Sequence, residues 1–155
     1  MLYVVRHAKA GSRHDWDGDD DTERPLTKPG RRQAAALTDR LGREAISAVW
    51  SSPYLRCTQT VAPLAAACGL DVRTDDRLGE GQAYERVLAL LRELPDEAVV
   101  CSHGDVIPEL IHALSRRGTR LLTPPDWGKA SIWLLDPPDA DGHVATAAVE
   151  PPPDV

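Results

Sequence analysis

Hydrophobic and polar positions along the chain alternate between short apolar runs and segments with a helical repeat. Leu2-Tyr3-Val4-Val5 is a short apolar run rich in β-formers, which predicts a buried strand ending at Arg6-His7-Ala8-Lys9. Ala48-Val49-Trp50 and Ala98-Val99-Val100-Cys101 are further runs of the same kind, the latter read as a central strand, and Leu70 to Arg73 predicts a shorter one. Between them, Ala34, Leu37, Thr38 and Leu41 share one helical face, with Thr27 as N-cap, Pro29 in the first turn and Gly42 as a stop. A second helix runs through Leu55, Val61, Leu64, Ala65 and Cys68 to Gly69. A third buries Val87, Leu90, Leu91 and Leu94 before Pro95, and a fourth spans about Val106 to Arg116. Ser131 to Leu135 and His143 to Val149 predict two closing strands, and the Pro- and Asp-rich tail from Pro151 to Val155 is expected to be disordered. Strands alternating with helices predict an α/β fold, a three-layer sandwich whose mostly parallel central sheet carries helices on both faces. Residues 1–150 are expected to form a single domain.

Three of these strands end in chemistry. The first delivers Arg6 and His7, the second leads through Ser51-Ser52-Pro53 to Arg56 in the next helix's first turn, and the fourth delivers Ser102-His103-Gly104-Asp105. Parallel strands bring their carboxyl ends to one edge, where open α/β sheets bind ligands. Cations there suit an anion, since helix N-termini and arginine forks both fit phosphate oxygens.

Composition narrows the picture. A net charge of -6 argues against a nucleic-acid-coating surface, and no apolar stretch reaches membrane-spanning length. Cys57, Cys68 and Cys101 have no metal-type spacing and read as reduced thiols, and Met1 leads straight into a strand rather than a signal peptide, so a cytoplasmic protein is expected. Asp15, Asp17 and Asp19 have the first spacings of a calcium loop. Asp20 stands where that loop needs Gly, and Leu26 where it needs its bidentate Glu, so a solvated acidic loop is the better reading, with a role at the site mouth left open. His14, His112 and His143 match no motif and are expected on the surface, and Cys57 is expected as a packed helical thiol, next to Arg56.

Val5-Arg6-His7-Ala8, Pro25-Leu26-Thr27 with Gly30, Ser51 to Thr60 and Ser102-His103-Gly104, in this order, resemble the histidine phosphatase superfamily, whose fold is that of the phosphoglycerate mutases. The resemblance runs from Leu2 to about Leu135. The short chain and the Arg-His-Ala-Lys-Ala opening look most like the small phosphohistidine phosphatase branch, and are also similar to the phosphatase half of actinobacterial proteins that carry a Nudix domain as well. No Nudix segment occurs in these 155 residues.

The resemblance implies that His7 is a nucleophile forming a phosphohistidine, that Arg6, Arg56 and His103 hold the phosphoryl oxygens, and that neither metal nor other cofactor takes part. The nucleophile must be a neutral ring, and Arg6 and Arg56 beside it are expected to depress its pKa. Glu80 best fits the family's proton donor. Asp105 is the alternative, although another branch has its acid immediately after the second histidine and here Gly104 intervenes. A phosphohistidine substrate, whose leaving group is an imidazole, lowers the need for either. The short Thr74–Gln82 connection leaves no room for a large lid, so an open site is expected. The partner implied is a phosphorylated substrate, a phosphohistidine protein or a phosphomonoester, while the oligomeric state is not legible. A non-catalytic module that binds phospho-ligands on the same fold is the other reading.

Overall fold

The computed structural model describes all of residues 1–155. Its strands are β1 (Leu2–Arg6), β2 (Ala48–Ser51), β3 (Val72–Thr74), β4 (Ala98–Ser102), β5 (Arg120–Leu121), β6 (Ile132–Leu135) and β7 (Thr146–Glu150). Its helices are α1 (Lys28–Leu41), α2 (Leu55–Ala67), α3 (Tyr84–Glu93) and α4 (Val106–Arg116). The strands form one sheet in the order β3-β2-β4-β1-β6-β7-β5. Strands β1 to β4 are mutually parallel where they pair, and β6 runs antiparallel to both β1 and β7.

Strand alternation separates two cores, one on each face. Leu2 and Val4 join Ala98, Val100, Trp133 and Leu135 under α3 and α4. Tyr3 and Val5 join Val49, Val99, Cys101 and Ile132 under α1 and α2. This is the expected three-layer α/β arrangement, and the apolar runs of β1 and β4 reflect burial on both faces.

Helix α1 begins as the sequence predicts. The Thr27 hydroxyl accepts from the Gly30 N–H at 3.1 Å and donates to the Lys9 carbonyl at 3.2 Å. A Cβ on Gly30 would lie 1.9 Å from that carbonyl, so only glycine lets the first turn press against the segment after β1. The Leu26-Thr27…Gly30 motif thus anchors α1 beside the His7 turn.

Several elements differ from expectation. Pro63 lies inside α2 without ending it; the lost backbone bond costs about 3 kcal/mol, and burial of Val61, Leu64 and Ala65 outweighs it. The last strand starts at Thr146 because His143 belongs to a turn, where the Asp139 carboxylate accepts from the Asp141 and His143 N–H groups. Strand β3 is shifted to Val72–Thr74, and β5, two residues long, has no periodicity to read. Pro151 to Val155 carry no helix or strand, and Pro152 lies against Gly128. No helix is long and apolar enough to cross a membrane.

Candidate active site

Strands β2, β4 and β1 are neighbours, so their carboxyl ends form one continuous edge. Backbone pairing carries the order one residue past the strands: the His7 N–H donates to Ser102 O at 3.1 Å, and the Ser52 N–H donates to Cys101 O at 2.9 Å. The residues that follow surround a cavity of about 190 Å³ lined by Arg6, His7, Arg56, Glu80, His103 and Asp105, with Arg24, Lys129 and the glycines Gly11 and Gly104. The residues read from the sequence as catalytic or phosphate-binding candidates, Arg6, His7, Arg56, Glu80, His103 and the alternative Asp105, therefore line one cavity. The cavity falls below the 300–1,000 Å³ usual for small-molecule pockets, which is room for a phosphoryl group with the rest of its carrier outside.

His7 is 6% exposed. Its Nδ1 lies 2.8 Å from the Ala8 carbonyl. A carbonyl can only accept, so Nδ1 carries the proton and the neutral ring keeps its lone pair on Nε2. Burial is the largest influence on its pKa, and with the charges of His103, Arg56 and Arg6 it brings the group down to about 3 against the Ala8 bond. The sequence pointed to the arginines; desolvation outweighs them. The turn is held further by Thr60, whose hydroxyl accepts from the Ala8 N–H at 2.9 Å and donates to Arg56 O at 2.7 Å.

His103, 2% exposed, packs edge-on to both His7 (centroids 5.5 Å apart) and Tyr54 (4.6 Å). Its Nε2 is 2.8 Å from Ser52 Oγ, which in turn accepts from the Tyr54 N–H at 3.2 Å. With the Tyr54 N–H on one of its lone pairs, the Ser52 hydroxyl directs its own proton to Nε2, which puts a ring proton on Nδ1. That Nδ1 is buried without a partner. Cys57 Sγ lies 3.6 Å from the same Nε2. Burial pushes its thiol up, but hydrogen bonds with Cys101 and His103 outweigh this and lower it.

Arg56 is 1% exposed. It donates to the Asp21 carbonyl at 2.9 Å, and its Nη2 faces two carboxylates, Asp21 at 3.3 Å and Glu80 at 3.6 Å. Arg6 donates to the Trp127 carbonyl at 2.6 Å, and its guanidinium lies against Gly104. Burial lowers the Arg6 pKa and Asp105 counters it. The Nε atoms of both arginines, like His103 Nδ1, are buried without a hydrogen-bond partner. An unpaired buried donor costs about 1–3 kcal/mol, so three of them around one cavity mark a place prepared for an acceptor-rich ligand.

Asp15, Asp17, Asp19 and Asp20 are exposed, as expected of a solvated loop, and the role left open at the site mouth falls to the end of that loop. Residues Arg13–Asp15 and Asp21–Glu23 form 3-10 turns, and Asp21 turns inward to meet Arg13 (3.4 Å), Arg24 (2.9 Å) and Arg56. Glu80 pairs with Arg13 at 2.7 Å, and Asp105 accepts from the Gly81 N–H at 2.8 Å. No three His, Cys, Asp or Glu side chains gather as a metal-binding group.

Sequence reasoning missed Asp21, Arg24, the Trp127 carbonyl and Lys129. Arg24 directly precedes the Pro25-Leu26-Thr27 motif, a signal that could have found it. Trp127 and Lys129 precede β6, and without knowing that this strand is reversed there is no reason to bring them to the edge.

The model of the histidine phosphatase superfamily (branch 1) matches residues 2–86, which contain Arg6, His7, Arg56 and Glu80. An 8-oxo-(d)GTP phosphatase of Mycolicibacterium smegmatis is 34% identical over 161 residues, covering 99% of this chain and 48% of the relative. The chain thus spans about half the length of that relative. The protein histidine phosphatase SixA, solved in complex with tungstate, shares the fold with a TM-score of 0.74, at 24% identity over 92% of this chain and 91% of that one. A mycobacterial glucosyl-3-phosphoglycerate phosphatase shares it with a TM-score of 0.64, at 23% identity over 86% and 90% of the two chains. With the family model covering more than half of the chain, and the fold shared with solved phosphatases, this protein belongs to the histidine phosphatase superfamily, branch 1.

Proposed function

We propose that this chain is a phosphatase that works through a phosphohistidine on His7. The neutral Nε2 attacks phosphorus in line, the bond to the leaving group breaks, and that group departs with the electron pair. Arg6, Arg56 and His103 receive the phosphoryl oxygens and offset the charge that shifts during transfer, the main task in this chemistry. As the ring gains positive charge, the Nδ1–H bond to Ala8 strengthens. Water then attacks phosphorus, the N–P bond breaks with its electrons returning to Nε2, and inorganic phosphate leaves. Glu80 is the proposed proton donor for a poor leaving group, with Asp105 the alternative on the same cavity wall.

The observation that carries the reading is the tautomer of His7. A site that only binds phosphate gains from donors on every side, whereas Nδ1–H tied to Ala8 leaves a lone pair on Nε2, which repels a bound phosphate and suits a nucleophile. This favours an enzyme over a phospho-ligand binding module. The substrate class proposed is a phosphohistidine or a phosphomonoester on a carrier too large for the cavity, the first of which fits the protein histidine phosphatase among the structural relatives.

The test is phosphate release from p-nitrophenyl phosphate and from a phosphohistidine-bearing protein, in EDTA, by the native chain and by His7→Ala. Turnover that survives EDTA and disappears in the variant is the expected result. An acid-labile, alkali-stable phosphoenzyme is expected on rapid quenching of the native chain. Phosphate binding with no turnover on either substrate would move the assignment to the binding module.

A further inference from the structure

The cations of the cavity are not equivalent. Arg56 faces Asp21 and Glu80, Arg24 pairs with Asp21 and donates to the Ala10 and Gly11 carbonyls, and Arg6 donates to Trp127 O beside Asp105. Lys129 makes no ion pair, and its ammonium donates no hydrogen bond. Its surroundings are cationic: burial, then Arg6, Arg24, Lys9 and Arg56, lower its pKa. Glu80 and Asp105 line the same cavity and Asp154 the next one, but none of them comes within 4 Å of the ammonium, and holding it among four cations at that distance from any carboxylate is unfavourable unless an anion joins them.

The backbone holds it there deliberately. Ala130, fully buried, sits at a φ of 69°, a left-handed conformation that costs a non-glycine residue about 1–3 kcal/mol. Its N–H donates to the Arg6 and His7 carbonyls at 3.1 and 3.2 Å, locking the residue after Lys129 to the nucleophile's own turn. Lys129 also borders a second cavity of about 430 Å³, walled by Lys9 and Gln33 on one side and by the tail residues Pro152, Pro153, Asp154 and Val155 on the other. It therefore stands where a substrate would pass from the phosphoryl site outward.

We propose that Lys129 holds a second phosphoryl group adjacent to the one transferred, so that the site prefers phosphoanhydride substrates of the diphosphate class to simple monoesters. The inference rests on reading the cavity as a phosphoryl site. Because Lys129 shares one small cavity with His7, the second anion must lie close to the transferred phosphorus, and a phosphoanhydride puts it one bridging oxygen away. In that reaction His7 Nε2 attacks the terminal phosphorus and the bond to the bridging oxygen breaks. That oxygen leaves with its electron pair on the inner phosphate, whose growing charge meets the Lys129 ammonium. Water then releases orthophosphate from His7. Such a leaving group needs no dedicated acid, in keeping with a Glu80 held by Arg13 and Arg56. The uncharged remainder has the second cavity beyond Lys129.

The test is calorimetric binding of methylenediphosphonate, orthophosphate and phosphonoacetate to the native chain, Lys129→Ala and Lys129→Arg, with circular dichroism as the folding control. The native chain is expected to bind methylenediphosphonate at least about tenfold more tightly than orthophosphate. Lys129→Ala should lose most of that preference and Lys129→Arg keep it. Equal affinities in the native chain, or a preference unchanged in Lys129→Ala, would overturn the proposal. Phosphonoacetate binding as tightly as methylenediphosphonate would overturn it too, by showing a site for any second anion. These probes are not hydrolysed, so a chain that binds as expected but turns nothing over would sink the phosphatase reading alone.

Discussion

A Cβ placed on Gly104 would lie 2.5 Å from Cζ of Arg6, so the guanidinium occupies the space that any other residue's side chain would need. The glycine after His103 is therefore part of how Arg6 is aimed. Gly104→Ala should push the guanidinium off the Trp127 carbonyl and lower kcat/KM for p-nitrophenyl phosphate by about ten- to a hundredfold, as misplacement by about 1 Å does. Arg6→Lys, which keeps a charge but loses the fork, should lose a similar factor. Steady-state kinetics on both variants checks this, and native activity in Gly104→Ala would refute the steric argument.

His7 ties stability to pH. Its folded-state pKa of about 3 lies below the ordinary 6.5, so between these values the unfolded chain binds a proton that the folded one refuses. Its contribution to stability is complete above about pH 6.5 and is lost as pH falls toward 3, by about 1.4 kcal/mol per pH unit within that window. Urea unfolding from pH 7 to 4.5 should show a steeper decline in the native chain than in His7→Gln. Parallel profiles would mean that the ring is not buried in its neutral form.

Asp21 supplies a carboxylate to Arg56 and Arg24 that a bound phosphate would replace in part. Burial works against its charged form, but the Arg24 hydrogen bond and the charges of Arg56, Arg24 and Arg13 outweigh this and lower its pKa. Asp21→Asn should destabilise the chain by about 1–3 kcal/mol by leaving two buried guanidiniums short of a counter-charge. It should also tighten orthophosphate binding, and added phosphate should restore more thermal stability to the variant than to the native chain. Thermal melts with and without phosphate decide it.

Glu80 and Asp105 can be separated by leaving group. A proton donor matters for an alkyl phosphate, whose alkoxide leaves poorly, and little for p-nitrophenyl phosphate. If Glu80 is the donor, Glu80→Gln should cut alkyl-ester turnover by about a hundredfold or more while sparing the aryl ester, and Asp105→Asn should cut neither selectively. The reverse pattern would assign the role to Asp105.

Much of this site was legible in the chain. Arg6, His7, Arg56 and His103 were readable because each follows an apolar run by a few residues, and parallel strands bring such positions to one edge. Thr27 and Gly30 were readable as a helix start, although the contact with the Lys9 carbonyl that requires the glycine was not. The acidic loop was legible only in part: its solvated aspartates and its nearness to the site mouth could be read, but the three arginines that draw Asp21 inward come from scattered positions 13, 24 and 56. Local periodicity carries no record of such pairings.

By itself, then, the sequence determined the layered α/β fold and the edge at which the chemistry gathers, because burial on both sheet faces and strand–helix alternation are written in local patterns. Only the tertiary structure decided the rest. The reversed direction of β6 brings Trp127 and Lys129 to the cavity beside Arg6 and His7. The Ala8 carbonyl sets the His7 tautomer, and desolvation sets its pKa more strongly than the neighbouring arginines do. These depend on strand orientation and on how much water the folded chain excludes, and both exist only once distant segments have packed.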